Sequence, residues 1–211
     1  MFSSRRERHE QAALAQCQEL HEATVSALAA ALELREDESG GHAHRVADLA
    51  LELTGSLDPD LAAAPALKEG FLLHDIGKIG IPDAILLKPG PLTERELEQM
   101  QYHTTLGVQL VSTVPHLRGL ATEVIAYHHE RWDGTGYPWG LAGEAIPLAA
   151  RIFAVSDAFD AITTVRPYRQ PSSVETARAE ITQRTGTQFD PAVVSVFAPI
   201  ADRLARAERA H

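Results

Sequence analysis

Cysteine is nearly absent: the 211 residues contain one, Cys17. A single thiol excludes a disulfide framework and any zinc site built on paired cysteines. Long apolar runs are missing too, since a membrane-spanning helix needs about 18 or more such residues and no stretch supplies them. The start, Met1-Phe2-Ser3-Ser4-Arg5-Arg6-Glu7-Arg8, is basic but leads into mixed polar sequence, so no secretory leader is expected. Positive charge is in deficit, with 19 Lys and Arg against 29 Asp and Glu and a formal net charge of −10. That balance, without a basic stripe, argues against a binder of nucleic-acid polymers. It leaves room for an anionic small substrate, because bound cations reverse the local field. What is present is globular: 45% hydrophobic and 23% charged residues, enough for a core that needs no covalent staple. A soluble, cytoplasmic protein is expected.

The pattern along the chain is helical almost throughout. Residues 5 to 35 contain neither Gly nor Pro and are rich in Ala, Glu, Gln, Leu and Arg, which predicts one long helix. Leu14, Val25, Leu28 and Leu32 form its apolar stripe, interrupted by His21. Two readings follow: a helix packed on its own domain, or a signalling or dimer helix arriving from upstream. Ser39-Gly40-Gly41 breaks it. Further helices are expected from His42 to about Leu53, from about Asp60 to His74, from Thr93 to about Val111, and over 118–129, 148–164, 173–184 and 191–208. Thr93 and Glu96 read as a capping box, and Ser172 and Glu175 as a second. Period-two alternation is almost lacking, so the fold class is all-α: a compact bundle with an N-terminal helix extension, divided as 1–35 and 36–211.

The ten histidines are not scattered at random. His42, His74-Asp75, His103, His128-His129 and Asp157 each fall on or at the end of a different predicted helix, as convergence in a bundle core requires. Imidazole and carboxylate without thiolate suit Fe, Mn, Zn or Ni. One ion takes four to six ligands, so seven candidates suggest two or more metals. Asp157 lies in an otherwise apolar helix, where a carboxylate is costly unless paired or metal-bound. Adjacent helical side chains diverge by about 100 degrees, so His128 and His129 are expected to address different metals or faces. His44 reads as a supporting or exposed residue, and His9, His21, His116 and His211 as non-ligands. Trp132, Tyr137 and Trp139 in loop 130–146 either stack on bases or form a local mini-core, the latter favoured for the two tryptophans.

Residues 36 to about 198 resemble an HD-GYP domain, a branch of the HD-domain metal phosphohydrolases. The segments that carry the resemblance are Gly41-His42-Ala43-His44-Arg45-Val46, Leu73-His74-Asp75-Ile76-Gly77-Lys78-Ile79-Gly80-Ile81-Pro82, and His103 with Gly107. They continue with His128-His129-Glu130-Arg131-Trp132-Asp133-Gly134-Thr135-Gly136-Tyr137-Pro138, then Ala154-Val155-Ser156-Asp157-Ala158-Phe159-Asp160-Ala161. Arg166-Pro167-Tyr168-Arg169 and Gly186-Thr187-Gln188-Phe189-Asp190-Pro191 complete the series. The match runs in order over more than three quarters of the chain.

The resemblance implies that His42, His74, Asp75, His103, His128, His129 and Asp157 are metal ligands, with Asp75 bridging two ions. Glu38, four residues before His42, matches the ligand of a third metal found in some members. Lys78, Arg166 and Arg169 match cationic phosphate-binding positions, and Gly136-Tyr137-Pro138 is the motif that gives the branch its name. Asp75 and Lys78 are the expected catalytic pair. Two or three divalent ions, Fe or Mn first and Zn or Ni as alternatives, would orient a phosphate and acidify a bridging water, which would be the nucleophile. The implied activity is hydrolysis of cyclic di-GMP to pGpG, and on to GMP if the third metal is held. Alternatives are a non-catalytic cyclic di-GMP receptor, a hydrolase of another cyclic dinucleotide, and a di-iron oxygenase. A homodimer through the N-terminal helix, an upstream sensor or a diguanylate cyclase are the partners such an extension would serve.

Overall fold

The computed structural model describes residues 2–36, 40–165 and 170–208. Glu38, Arg166 and Arg169 lie outside the described residues. Among those described, eleven α-helices are joined by short 3-10 turns and loops, and the only β pairings are isolated bridges at Asp133–Ala142 and Thr185–Phe189. The helices are α1 (Phe2–Arg35), α2 (His42–Leu57), α3 (Pro59–Ala62), α4 (Pro65–Leu72), α5 (Asp83–Leu86), α6 (Glu94–Gln101), α7 (His103–Val111), α8 (Leu120–Tyr127), α9 (Leu148–Thr163), α10 (Val174–Gln183) and α11 (Pro191–Glu208). The all-α expectation holds. No helix among the described residues is long and apolar enough to cross a membrane.

Several predicted helices are shorter than the sequence pattern suggested. The stretch from Asp60 to His74 splits into α3 and α4 because Pro65 holds Ala64 in extended backbone and then starts a new helix at its own first position. The stretch from Thr93 to Val111 splits at Tyr102. There His103 Nδ1 and Thr104 Oγ1 donate to the carbonyls of Met100 and Gln101, groups that a continuous ladder would otherwise use. The Thr93–Glu96 capping box forms as expected. The second predicted box does not: Ser173 caps α10 instead, accepting from the Thr176 N–H at 3.2 Å.

The core runs between α2, α4, α8, α9 and α11, where Val46, Leu53, Leu67, Phe71, Ile125, Ile152, Phe153 and Phe197 are fully buried. Each such side chain contributes about 1.5–3 kcal/mol on burial. Phe71 and Phe153 stack at 5.7 Å, and Phe153 lies 4.5 Å from the His74 ring, so the apolar core forms the floor of the histidine cluster.

The end of α1 belongs to this body. Val25, Ala29 and Leu32 are buried, whereas Leu14 and Leu20 are exposed. Buried Glu33 accepts the N–H groups of Gly41 and Ala43 at 2.6 and 2.7 Å, supplying the acceptor that the first turn of α2 lacks from its own cap. Arg35 donates to the carbonyls of Lys78 and Ile81 and to Asp83 Oδ1, tying the helix end to the segment after Asp75.

Candidate metal centre

Helix ends bring the ligand candidates together. His42 is the first residue of α2, His103 the first of α7, and His128 caps the end of α8. His74 and Asp75 follow α4, and Asp75 leads into a 3-10 turn over Ile76–Gly80. Asp157 projects from the middle of α9. The close approach of two backbones makes this convergence feasible. A Cβ at Gly77 would fall inside contact distance of the His103 carbonyl and the Gly107 nitrogen, so only glycine lets the turn after Asp75 lie against α7.

Each of four histidines has its Nδ1 already engaged. His74, His103 and His128 donate from Nδ1 to the carbonyl three residues earlier, at 3.0, 2.7 and 3.0 Å. A carbonyl can only accept, so the tautomer follows from the contact. His42 Nδ1 lies 2.7 Å from Asp160 Oδ2. All four Nε2 atoms are therefore aimed into the shared space. This is the arrangement in which a supporting oxygen fixes a metal-ligating imidazole.

Asp75 sits at the centre. Its Oδ1 is buried without a hydrogen-bond partner, while Nε2 of His103 and of His128 stand 3.2 and 3.6 Å away and 3.3 Å from each other. With Nδ1 carrying the proton, those Nε2 atoms present lone pairs to a carboxylate oxygen. Acceptors facing acceptors in a dry space fit a cation. Donor atoms of Asp75, His103, His128 and His129 all lie within 4.8 Å of one another. The other carboxylate oxygen, Oδ2, meets His74 Nε2 at 3.0 Å and the Lys78 ammonium at 2.8 Å. On the far side, Asp157 Oδ1 is 3.5 Å from His42 Nε2, and the His42 and His74 rings are 5.7 Å apart. Asp75 thus turns one oxygen to each half of the cluster.

The expectation that His128 and His129 diverge does not hold. Their ring centroids are 4.1 Å apart and both contribute to the Asp75 set. Both residues lie at the end of α8, where the two rings turn toward Asp75.

The electrostatics follow from the crowding of acids and imidazoles around Asp75. Burial opposes charge on Asp75, yet the His74 and Lys78 charges outweigh it and hold the carboxyl well below its ordinary range. Burial pushes His128 down to about 4, and burial with the neighbouring imidazoles pushes His129 well down, so both are neutral at neutral pH. His74 is raised: burial disfavours its charge, but Asp75 and Asp157 more than compensate. Lys78 lies between Asp75 and Glu36, whose Oε2 is 3.1 Å from Nζ, and is held charged against its burial. Sequence reading placed Lys78 near Asp75 through a continued helix. The 3-10 turn achieves this instead, with the Lys78 N–H donating to the Asp75 carbonyl at 2.8 Å.

The cluster opens into a cleft of about 520 Å³ between loop 129–137, α9 and α10. Tyr137 stacks on His129 at 4.5 Å, and its N–H donates to the His129 carbonyl. Burial raises the Tyr137 hydroxyl pKa, so the phenol stays protonated. The loop is fixed by Glu130, buried, whose two oxygens accept the N–H groups of Trp139 and Leu141 at 2.8 and 3.0 Å. Trp132 lies beneath the Arg151 guanidinium within this framework. Trp139 does not join a mini-core: it is 69% exposed. Arg131 and Arg184 line the cleft. His44 is exposed, near Ser26. Asp160 and Glu130 are the supporting residues that sequence reading gave no role. Their signal was an acid three positions after Asp157 and one directly after the histidine pair.

An all-helical bundle in which buried imidazoles and carboxylates converge forms a donor cluster that could hold metal ions. The sequence profile of the HD domain family matches residues 26–193, and the chain belongs to that family. The HD-GYP resemblance carried by the motifs stands with it. The chain is 41% identical over 193 residues to a probable cyclic di-GMP phosphodiesterase of Vibrio cholerae, covering 84% of this chain and 44% of that protein. It is 43% identical over 167 residues to a cyclic di-GMP phosphodiesterase of Thermotoga maritima, covering 78% of this chain and 45% of that one. The chain thus spans less than half the length of either relative. Among solved structures, a cyclic GMP-AMP specific phosphodiesterase of V. cholerae superposes with a TM-score of 0.63 at 22% identity, covering 88% of this chain and 49% of that one. At that identity it bears on the fold alone.

Proposed function

We propose that this chain is the hydrolytic domain of a metal-dependent cyclic di-GMP phosphodiesterase. The observation that carries the reading is the buried Asp75 carboxylate, one oxygen facing two imidazole lone pairs and the other facing His74 and Lys78. His42, His74, Asp75, His103, His128, His129 and Asp157 would hold two divalent ions, Fe or Mn first, with Asp75 shared; Glu38 would serve a third. Bound ions would supply phosphate charge neutralisation and a water acidified for attack.

The chain's own groups do the rest. The backbone carbonyls behind His74, His103 and His128, with Asp160 behind His42, keep the Nε2 atoms aimed inward. Lys78 keeps Asp75 ionised and lies beside the position of a bound phosphate. Arg166 and Arg169 would take phosphate oxygens through forked hydrogen bonds. The Gly136-Tyr137-Pro138 segment, with Tyr137 against His129, would form one wall for the dinucleotide. Hydrolysis adds one water across a phosphodiester: the P–O bond to a 3′ oxygen breaks, that oxygen takes a proton, and the linear product keeps a 5′ phosphate. Residues 1–35 would couple this domain to a second copy or an upstream sensor; the exposed Leu14 and Leu20 support that reading.

The test is a product assay on protein loaded anaerobically with Fe(II) or Mn(II). Cyclic di-GMP should give pGpG, and GMP after it if Glu38 holds a third ion. Asp75→Ala should lose hydrolysis and metal at the paired site; full activity in that variant would refute the assignment. A second substrate, 3′3′-cyclic GMP-AMP, belongs in the same assay because a V. cholerae relative 40% identical over 171 residues is named as specific for it. Metal-loaded protein that binds cyclic di-GMP without cleaving it would make the chain a receptor.

A further inference from the structure

Two histidines outside the cleft meet over one buried carboxylate. His21 comes from α1, Glu69 from α4 and His116 from the 3-10 turn Pro115–Leu117. His21 Nε2 lies 2.6 Å from Glu69 Oε1, His116 Nε2 lies 3.1 Å from Glu69 Oε2, and the two Nε2 atoms are 2.9 Å apart. Ligands about 2.0–2.1 Å from a tetrahedral ion stand about 3.3 Å from one another. The three side chains are already close to that spacing.

With Glu69 ionised, hydrogen bonding alone does not account for the arrangement. A neutral imidazole carries one N–H. If His21 donates from Nε2 to Glu69, it has no lone pair there for His116. If His116 offers its own lone pair to that N–H, the same nitrogen faces Glu69 Oε2 as acceptor against acceptor. A proton on both Nε2 atoms, in neutral or charged rings, sets two N–H groups against each other at 2.9 Å. Glu69 Oε2 is meanwhile buried with no hydrogen-bond partner, and Glu69 as a whole is 7% exposed. Such a buried carboxylate is costly without a counter-charge. A single cation among the three groups satisfies both lone pairs and the orphaned oxygen together.

We propose that His21, Glu69 and His116 form a second metal site, separate from the cleft, for a divalent first-row ion, with Zn(II) the best fit. Two imidazoles and one carboxylate with a fourth position open to water are a zinc-type donor set. The three ligands come from three elements, so the ion clasps the N-terminal helix onto α4 and the Pro115–Leu117 turn. The chain reaches His74 five residues after Glu69, so the clasp joins α1 to the helix that delivers His74 and Asp75.

The deciding experiment strips the 211-residue chain of metal, reloads it with Zn(II), and counts ions per chain after gel filtration. Wild type should retain about one ion more than His116→Ala or Glu69→Gln. The rise in Tm that Zn(II) produces should be smaller in both variants. His116 is half exposed, so its replacement leaves the metal-free fold intact and decides the matter even if Glu69→Gln fails to fold. Co(II) in place of Zn(II) gives a third readout: the visible bands of a four-coordinate ion present in wild type and reduced in His116→Ala. Equal metal content and equal Tm shifts in wild type and His116→Ala would overturn the site.

Discussion

Asp160 Oδ2 stands 2.7 Å from His42 Nδ1, and the same carboxylate binds Arg45 through both its oxygens, at 2.6 and 3.0 Å. One buried acid on α9 thereby sets the direction in which the first residue of α2 presents its Nε2. Burial works against the charge on Asp160, yet the hydrogen bonds from His42 and Arg45 hold its pKa down to about 2. The carboxylate is therefore ionised throughout the working range. Its native pKa is depressed, so its contribution to stability is present above the ordinary value of 3.8 and is lost as pH falls toward about 2. Asp160→Asn should shift metal activation of hydrolysis to concentrations about 10- to 100-fold higher. An activation curve against Mn(II) measures this; an unmoved curve would mean that His42 is oriented by something else.

Gly136→Ala should disable the loop. A Cβ there would lie 2.5 Å from the Arg131 nitrogen and 2.6 Å from both the Glu130 Cα and the His129 carbonyl oxygen. All three are backbone atoms, so no side chain can move aside. The expected outcome is loss of cyclic dinucleotide binding by calorimetry together with a fall in turnover. Retained affinity would show that the loop has an alternative path.

Glu33→Gln should loosen the start of α2. This α1 carboxylate accepts the backbone N–H groups of Gly41 and Ala43, and hydrogen bonds to a charged group are worth about 1.5–3 kcal/mol. Gln retains one acceptor, so a partial loss in denaturant midpoint is expected. Glu33→Ala should lose more, with faster amide exchange at Gly41 and Ala43.

Glu96 supplies a pH-dependent term far from the cleft. The Lys88 ammonium, together with the Thr93 N–H and hydroxyl, pulls its pKa from 4.5 to about 2. The unfolded chain therefore binds the proton first, and this stabilisation is complete above about pH 4.5 and fades as pH falls toward 2. Wild type and Glu96→Gln should differ in Tm at about pH 6 and converge near about pH 2. Thr93→Ala, which removes the cap oxygen itself, should cost about 1 kcal/mol.

Much of the candidate site was legible because its ligand types are few and costly to bury. His42, His74, Asp75, His103, His128 and His129 stand out as imidazoles and an acid at helix ends and Asp157 as an acid within an apolar helix, and the motifs around them carry the family. What the string did not disclose was direction. His128 and His129 look divergent on a helix, yet both rings turn toward Asp75 at the end of α8. Asp160 is one acid among many until Arg45 and His42 close on it. Helix breaks at Pro65 and Tyr102 were harder: the first was punctuated but outweighed by a continuous apolar pattern, and the second depends on side chains capturing carbonyls.

The sequence by itself determined an all-helical fold class, the lack of a disulfide framework, the acidic balance and which residues could carry metal chemistry, because these rest on composition, periodicity and residue type; the family followed from the resemblance its motif segments carry. The tertiary structure alone decided which atoms face one another. It placed a carbonyl or carboxylate behind the Nδ1 atoms of His42, His74, His103 and His128 and turned the two oxygens of Asp75 to opposite sides. It also brought His21 and His116, 95 residues apart in sequence, onto one buried carboxylate. Such relations depend on how helices from distant parts of the chain pack, and packing is settled by the whole core at once.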